Sequence, residues 1–92
     1  MGGDFMANKK RALMVGYDNF INADKILAIV SFDNAFVKRV VKKTKEKFGV
    51  IDATQGNKTR SVIFLEDERV VLSSNDKKTL YKRFSNIEVD ND

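Results

Sequence analysis

The chain has neither cysteine nor histidine, and this absence restricts how a domain of 92 residues can be stabilised. A chain of this length forms one domain, which buries only about 60–65% of the surface that its unfolded form exposes. Small domains of this kind often depend on disulfides, on a structural metal or on oligomerisation. Without cysteine there is no disulfide, and without histidine zinc loses its other preferred ligand. We therefore expect no metal and no cofactor, and we expect a homo-oligomer.

At the beginning of the chain we expect no targeting signal. Met1 to Asn8 lack the basic flank and the apolar run of a signal peptide, and no apolar stretch approaches the roughly 20 residues that span a bilayer. We expect a cytoplasmic protein that does not enter the membrane. Its predicted organisation is a flexible N-terminal segment (1–10), a single domain (11–85) and an acidic, disordered tail (86–92).

Apolar periodicity predicts an α+β fold with a largely antiparallel sheet of about five short strands and two helices. The order is strand-strand-helix-strand-strand-strand-helix, with strands at 12–17, 26–30, 50–53, 61–65 and 69–73. The first helix has an apolar seam that includes Phe36, begins with a cap from Ser31 or Asp33 and ends at Gly49.

The final helix begins at Asn75 or Asp76 and directs Leu80, Tyr81 and Phe84 inward.

Two of the predicted strands require cover on both faces of the sheet. Ile26 to Val30 and Val62 to Leu65 are apolar without alternation. Two short helices cannot cover both faces of a five-stranded sheet. We therefore expect a second copy of the chain on the uncovered face. The alternative is that one helix lies on each side, and the sequence leaves this open.

Charge is concentrated in the middle of the chain. Residues 25–60 hold nine basic and three acidic side chains, whereas residues 1–24 are neutral overall and residues 61–92 are acidic. This block favours a surface that faces a polyanion, and the alternative is a lysine-rich soluble surface.

Catalysis is not indicated, because the commonest general base and the thiol nucleophile are both absent. Asp52 is interpreted as a structural or capping residue and not as a base. The acids Glu66, Asp67 and Glu68 are interpreted as a solvated turn and not as a cation site.

The loop Thr54 to Arg60 has no acid and no large apolar residue. Its polar side chains, Lys58 and Arg60 suit phosphate contact, and Gly56 permits a close approach of the backbone. An ordinary polar connection is the alternative. On its own residues the loop predicts a grip on a nucleic-acid backbone.

The same loop carries a resemblance to a known family. The run from Ile51 to Arg60 (IDATQGNKTR) is similar to the RemA family of bacterial extracellular-matrix regulators. The similarity extends without gaps over residues 12–84. It includes the runs INADKI (21–26), AIVS (28–31), VKR (37–39), VVLS (70–73) and KRF (82–84).

This resemblance implies a double-stranded DNA-binding transcriptional regulator of biofilm-matrix genes. It implies subunits with a LytTR-like DNA-binding fold, assembled into rings of seven or eight with DNA around the outside. The basic positions of the family that contact DNA fall on Lys25, Asn57 and Lys58. The predicted site is completed by neighbouring loop residues, with two helix residues as additional backbone contacts. These are Thr54, Gln55 and Arg60, and Lys38 and Arg39.

The sequence also departs from the family. Arginine is usual at the positions of Lys25, Asn57 and Lys58, and the prolines before the first helix are replaced by Phe32 and Phe36. Lysine cannot form the bidentate fork that reads guanine, and asparagine is uncharged. We therefore expect this loop to hold phosphate more than to read bases.

Two alternatives stay open. One is a self-assembling structural or interaction module that does not bind DNA. The other is an RNA-binding protein in which Tyr17, Phe20 and Phe32 stack on bases, although core positions for these aromatic side chains are also expected.

Overall fold

The computed structural model describes residues 11–47 and 49–87, and these residues form an α+β fold as predicted. The predictions for the segment 1–10 and for the tail beyond residue 87 concern residues that lie outside the described ones. The elements are named in chain order. They are β1 (Ala12–Gly16), β2 (Asn19–Asn22), a 3-10 turn (Ala23–Lys25), β3 (Ile26–Ser31), α1 (Ala35–Lys47), β4 (Ile51–Asp52), β5 (Ser61–Leu65), β6 (Val70–Ser73) and α2 (Lys77–Ile87).

The described strands form two sheets where the sequence predicted one. β1 and β2 make an antiparallel hairpin, and β2 is a strand that the sequence patterns did not predict. The second sheet has the order β3-β5-β6-β4, in which only β4 pairs in parallel. Ser31 pairs with Ser61, and Ser61 pairs with Ser73, so the chain segments that flank these serines meet at one end of the sheet.

The four-stranded sheet is covered on both faces by this chain alone. On one face, α1 packs Val37 and Val41 against Val62, Val70 and Leu72. The opposite face carries a second apolar cluster that joins the hairpin, the sheet and α2. Its buried members are Leu13, Val15, Ala23, Ala53, Ile63, Val71 and Leu80.

The expectation of an open sheet face was therefore wrong, and the alternative of one helix on each side is correct. Homo-oligomerisation stays a prediction, but it no longer follows from an uncovered face.

Two aromatic side chains lie opposite to their predicted direction. Phe36 and Tyr81 are 66% and 65% exposed, whereas Leu80 is fully buried and Phe84 packs against the core. In each helix the aromatic residue stands next to the buried position in sequence, about 100° around the helix from it. The stripe of buried side chains on each helix is thus narrower than predicted.

The helix ends follow ordinary capping rules, with one correction. Asn34, and neither Ser31 nor Asp33, caps α1 by accepting a hydrogen bond from the Val37 amide at 3.0 Å. Asp76 caps α2 as predicted, accepting from the Thr79 amide at 2.9 Å. α2 continues to Ile87, so the domain limit expected at residue 85 falls within this helix.

Candidate nucleic-acid interface

The loop from Thr54 to Arg60 begins at a hydrogen-bonded anchor. The Asp52 carboxylate accepts from the Thr54 hydroxyl at 2.6 Å and from the Thr54 amide at 2.9 Å. These two bonds, with a smaller effect from Lys45, hold the pKa of Asp52 below its ordinary value of 3.8. Thr54 is only 3% exposed, so it anchors the loop and cannot reach a ligand. Asp52 is the structural residue that the sequence predicted.

A tight turn follows the anchor. Gln55 and Gly56 both have positive φ, at 54° and 81°, and the Asn57 amide donates to the Thr54 carbonyl at 2.9 Å. A side chain added at Gly56 would meet no atom within 4 Å, so this backbone is open to approach from outside. The Asn57 side chain is turned back towards the protein, where its Nδ2 donates to Thr54 and to Tyr17.

The end of the loop is fixed by the strands on either side. The Arg60 amide donates to the Ser73 carbonyl at 2.9 Å, and the Arg60 carbonyl accepts from the Phe32 amide at 3.0 Å. The backbone is thus held between β6 and the segment after β3, while the side chains of Lys58 and Arg60 are exposed.

These side chains border an open pocket of about 480 Å³, which we call the basic cleft. It lies where β3 ends, α1 and α2 begin and the loop runs into β5. Its lining residues are Ser31, Phe32, Asp33, Lys38, Lys58, Thr59, Arg60 and Asp76. The structure therefore brings together three of the predicted contacts, Lys38, Lys58 and Arg60.

The three cations of the basic cleft are available to an anion. Among the described residues, none of them lies within 4.0 Å of a carboxylate oxygen. The Lys38 ammonium lies 5.4 Å from the centre of the Phe32 ring, which places a cation–π contact in the cleft.

Two carboxylates border the same cleft. Asp33 and Asp76 reduce its net charge, and both are exposed. The pKa of Asp76 is lowered, first by the hydrogen bonds from Thr79 and then by Arg60 and Lys78. Asp76 is thus ionised at neutral pH and competes with any bound anion for Arg60.

The other predicted contacts lie elsewhere. Lys25 precedes β3 at the opposite end of the sheet, about 20 Å from Arg60 at 3.3 Å per residue along this strand of six residues. Its surroundings include Glu66 and Asp67, and its carbonyl accepts from the Glu66 amide at 2.9 Å. Arg39 is exposed on α1 and does not border the cleft.

Sequence reasoning missed several residues of this surface. Asp33 and Asp76 were recognised only as capping residues, and Phe32 only as a replacement for a family proline and a candidate for stacking on RNA bases. The pairing of Ser31 with Ser61 and of Ser61 with Ser73 brings them together, and no local pattern reveals that register. The expectation that Tyr17 and Phe20 lie in the core was wrong, because they are 52% and 59% exposed.

The described residues contain no group of three or more acidic side chains that could hold a metal ion. Neither α1 nor α2 has the length and apolarity needed to cross a membrane.

Comparison with known proteins gives one consistent result. The family model described as "Extracellular matrix regulatory protein A-like", or RemA-like, matches residues 12–84. Relatives from Bacillus cytotoxicus, Bacillus mycoides and Bacillus cereus carry the name "Putative regulatory protein". Each is 44% identical to this chain over 78 residues, which cover 85% of the chain and 90% of the relative.

Proposed function

Because the chain belongs to the RemA-like family of regulatory proteins, we propose that it is an oligomeric regulator of transcription that binds double-stranded DNA. The observation that carries the proposal is the basic cleft, where Lys38, Lys58 and Arg60 converge and form no ion pair with any other described residue. Lysine and arginine on a fixed backbone are the usual partners of phosphate oxygens. The proposal assigns the protein a binding role and no catalytic one.

The composition of the cleft favours contact with the DNA backbone over base recognition. Lys38 and Lys58 are point charges, and only Arg60 can offer the bidentate fork that suits phosphate or a guanine edge. Each subunit therefore binds DNA by charge, with little discrimination among sequences. Lys25, at the far end of the sheet, serves a second and separate backbone contact.

Self-association completes the proposal, and the edge of the sheet supports it. β3 is an edge strand of six residues, and its outer edge has no partner among the described strands. Leu27 on this strand is 69% exposed. The unpaired N–H and C=O groups of an apolar edge strand can pair with another chain. Several linked subunits would add their weak DNA contacts together.

The RemA-like description suggests the genes that are regulated. Those that direct production of the extracellular matrix are the expected targets, and the protein then acts in the cytoplasm, where the DNA is. Deleting the gene and measuring transcripts tests this assignment. Unchanged matrix transcripts would refute this part of the proposal.

The central experiment combines a salt-titrated anisotropy measurement on a labelled 30-base-pair duplex with light scattering on the free protein. We expect log K to fall linearly with log salt concentration, and a mass that is a multiple of 10.5 kDa. DNA affinity that does not change between about 50 and 200 mM salt refutes the electrostatic grip. A monomeric mass refutes the assembly.

The two alternatives give different results in the same assay. A structural module assembles but does not bind the duplex even at low salt. RNA binding is favoured by the exposed ring of Tyr17, whose hydroxyl contacts Asn57 in the loop 54–60, since an aromatic side chain beside a basic loop can stack on unpaired bases. If single-stranded RNA displaces the duplex at equal nucleotide concentration, the RNA reading is preferred.

A further inference from the structure

The turn between β1 and β2 has an unusual residue. Tyr17 and Asp18 form a two-residue hairpin turn, and both have positive φ, at 50° and 61°. Glycine, asparagine and aspartate are the residues that suit such a turn. A tyrosine is disfavoured in this backbone region, and burial does not compensate here because the side chain is 52% exposed.

The hydroxyl of Tyr17 has a specific partner in the loop that leads to the basic cleft. It accepts a hydrogen bond from the Asn57 Nδ2 at 2.6 Å, between residues 40 positions apart in sequence. The same Nδ2 also donates to the Thr54 carbonyl at 3.1 Å. A side-chain amide has only two hydrogens to donate. Asn57 therefore has no free donor for a phosphate oxygen.

The hairpin is a firm support for this contact. The Ser73 hydroxyl donates to the Val15 carbonyl at 2.7 Å, and the Arg83 guanidinium donates to the Met14 carbonyl at 3.0 Å. Two bonds from other elements thus hold β1 immediately before the turn. On the other side of the contact, Asn57 directly precedes Lys58, the cation at the rim of the cleft.

We infer that Tyr17 is a positioning residue, which fixes the loop 54–60 through Asn57 so that Lys58 is held ready for phosphate. The inference rests on the proposed function and changes the predicted role of Asn57 from a DNA contact to a support of the loop.

Hydrogen exchange tests the contact without DNA. Tyr17→Phe removes only the hydroxyl, and Tyr81→Phe is the matched control, because Tyr81 is the other tyrosine of the chain and is also exposed. We expect hydrogen exchange at the backbone amide of Asn57 to become about two- to tenfold faster in Tyr17→Phe. This factor corresponds to the loss of one hydrogen bond. The Arg60 amide, bonded to Ser73, should not change in either variant. Unchanged exchange at Asn57 would overturn the inference.

A second variant separates positioning from general stability. Tyr17→Asn places a residue suited to positive φ in the turn, so the melting temperature should not fall, yet exchange at Asn57 should still rise. If exchange rises only in step with a lower melting temperature, the contact is merely structural and the inference fails.

DNA binding provides the functional readout. Tyr17→Phe should weaken duplex affinity about two- to tenfold and leave the slope against log salt unchanged, since no phosphate contact is removed. Faster exchange with unaltered affinity would overturn the positioning role. If the wild-type protein does not bind DNA at all, the proposed function fails, and the exchange experiment still decides whether Tyr17 fixes the loop.

Discussion

Removing the cations of the basic cleft should change the salt dependence of DNA binding by a calculable amount. The variants are Lys38→Ala, Lys58→Ala and Arg60→Ala, singly and together. Each phosphate contact contributes about 0.9 to the slope of log K against log salt. Over a fourfold salt range, from 50 to 200 mM, one contact therefore accounts for a change of about 3.5-fold in affinity. Three contacts account for about 40-fold per subunit.

The assay is anisotropy of a labelled duplex at several salt concentrations, with the oligomeric mass measured for every variant. Arg69→Ala is the matched control for Arg60→Ala. Both arginines are exposed, and each directly precedes a strand. Arg69, however, lies at the other end of the sheet, where it pairs with Asp67. We expect the slope to fall by about 0.9 for Arg60→Ala and to stay the same for Arg69→Ala.

Equal effects of the two substitutions would refute the reasoning. They would mean that the total charge of the protein, and not contact in the basic cleft, attracts the DNA. A triple variant that keeps the wild-type slope would likewise exclude the cleft as the interface.

Three further predictions follow from single residues. Asp76→Asn retains a good helix cap but removes a negative charge from the cleft. The interaction of two unit charges across roughly 7 Å of water amounts to about 0.6 kcal/mol. DNA affinity should therefore rise about threefold in the anisotropy assay. Gly16→Ala should lower the free energy of unfolding in urea by about 1–3 kcal/mol, because φ is 122° and the added Cβ would lie 3.3 Å from the Asn75 Oδ1; Gly49→Ala, in open space, should cost less. Because the pKa of Asp52 is lowered in the folded protein, its carboxylate stabilises the fold at pH values above the ordinary pKa of 3.8. This stabilisation is lost as the pH falls through the lower folded pKa. The melting temperature should therefore drop below about pH 4, and it should drop less in Asp52→Asn.

Much of the fold could be predicted from local patterns. The branched run Ile26 to Val30 and the helical spacing of Val37 and Val41 each specify an element without help from the rest of the chain. β2 was missed because its four residues, Asn-Phe-Ile-Asn, contain only two apolar side chains between turn-forming residues. The hairpin that β2 completes covers one face of the four-stranded sheet. Because β2 was missed, this cover could not be predicted either.

The candidate site was predicted in part. Lys58 and Arg60 stand out by composition, and the structure joins them to Lys38. Composition could not show that Thr54 is buried, or that Lys25 lies at the far end of the sheet, because both depend on strand register. Both depend on which distant strands pair, and the local periodicity of a single sequence does not determine that order.

The contact between β1 and α2 has a consequence for the order of events during synthesis. Leu13 and Val15 are buried with Leu80, and Arg83 donates to a carbonyl 69 positions earlier in the chain. During synthesis the β1–β2 hairpin leaves the ribosome before α2, so its apolar face is not fully covered until α2 has been made. We therefore expect nascent chains that stop before residue 80 to be sensitive to protease across the hairpin. The turn that supports the basic loop acquires its fixed position only after α2 has been made.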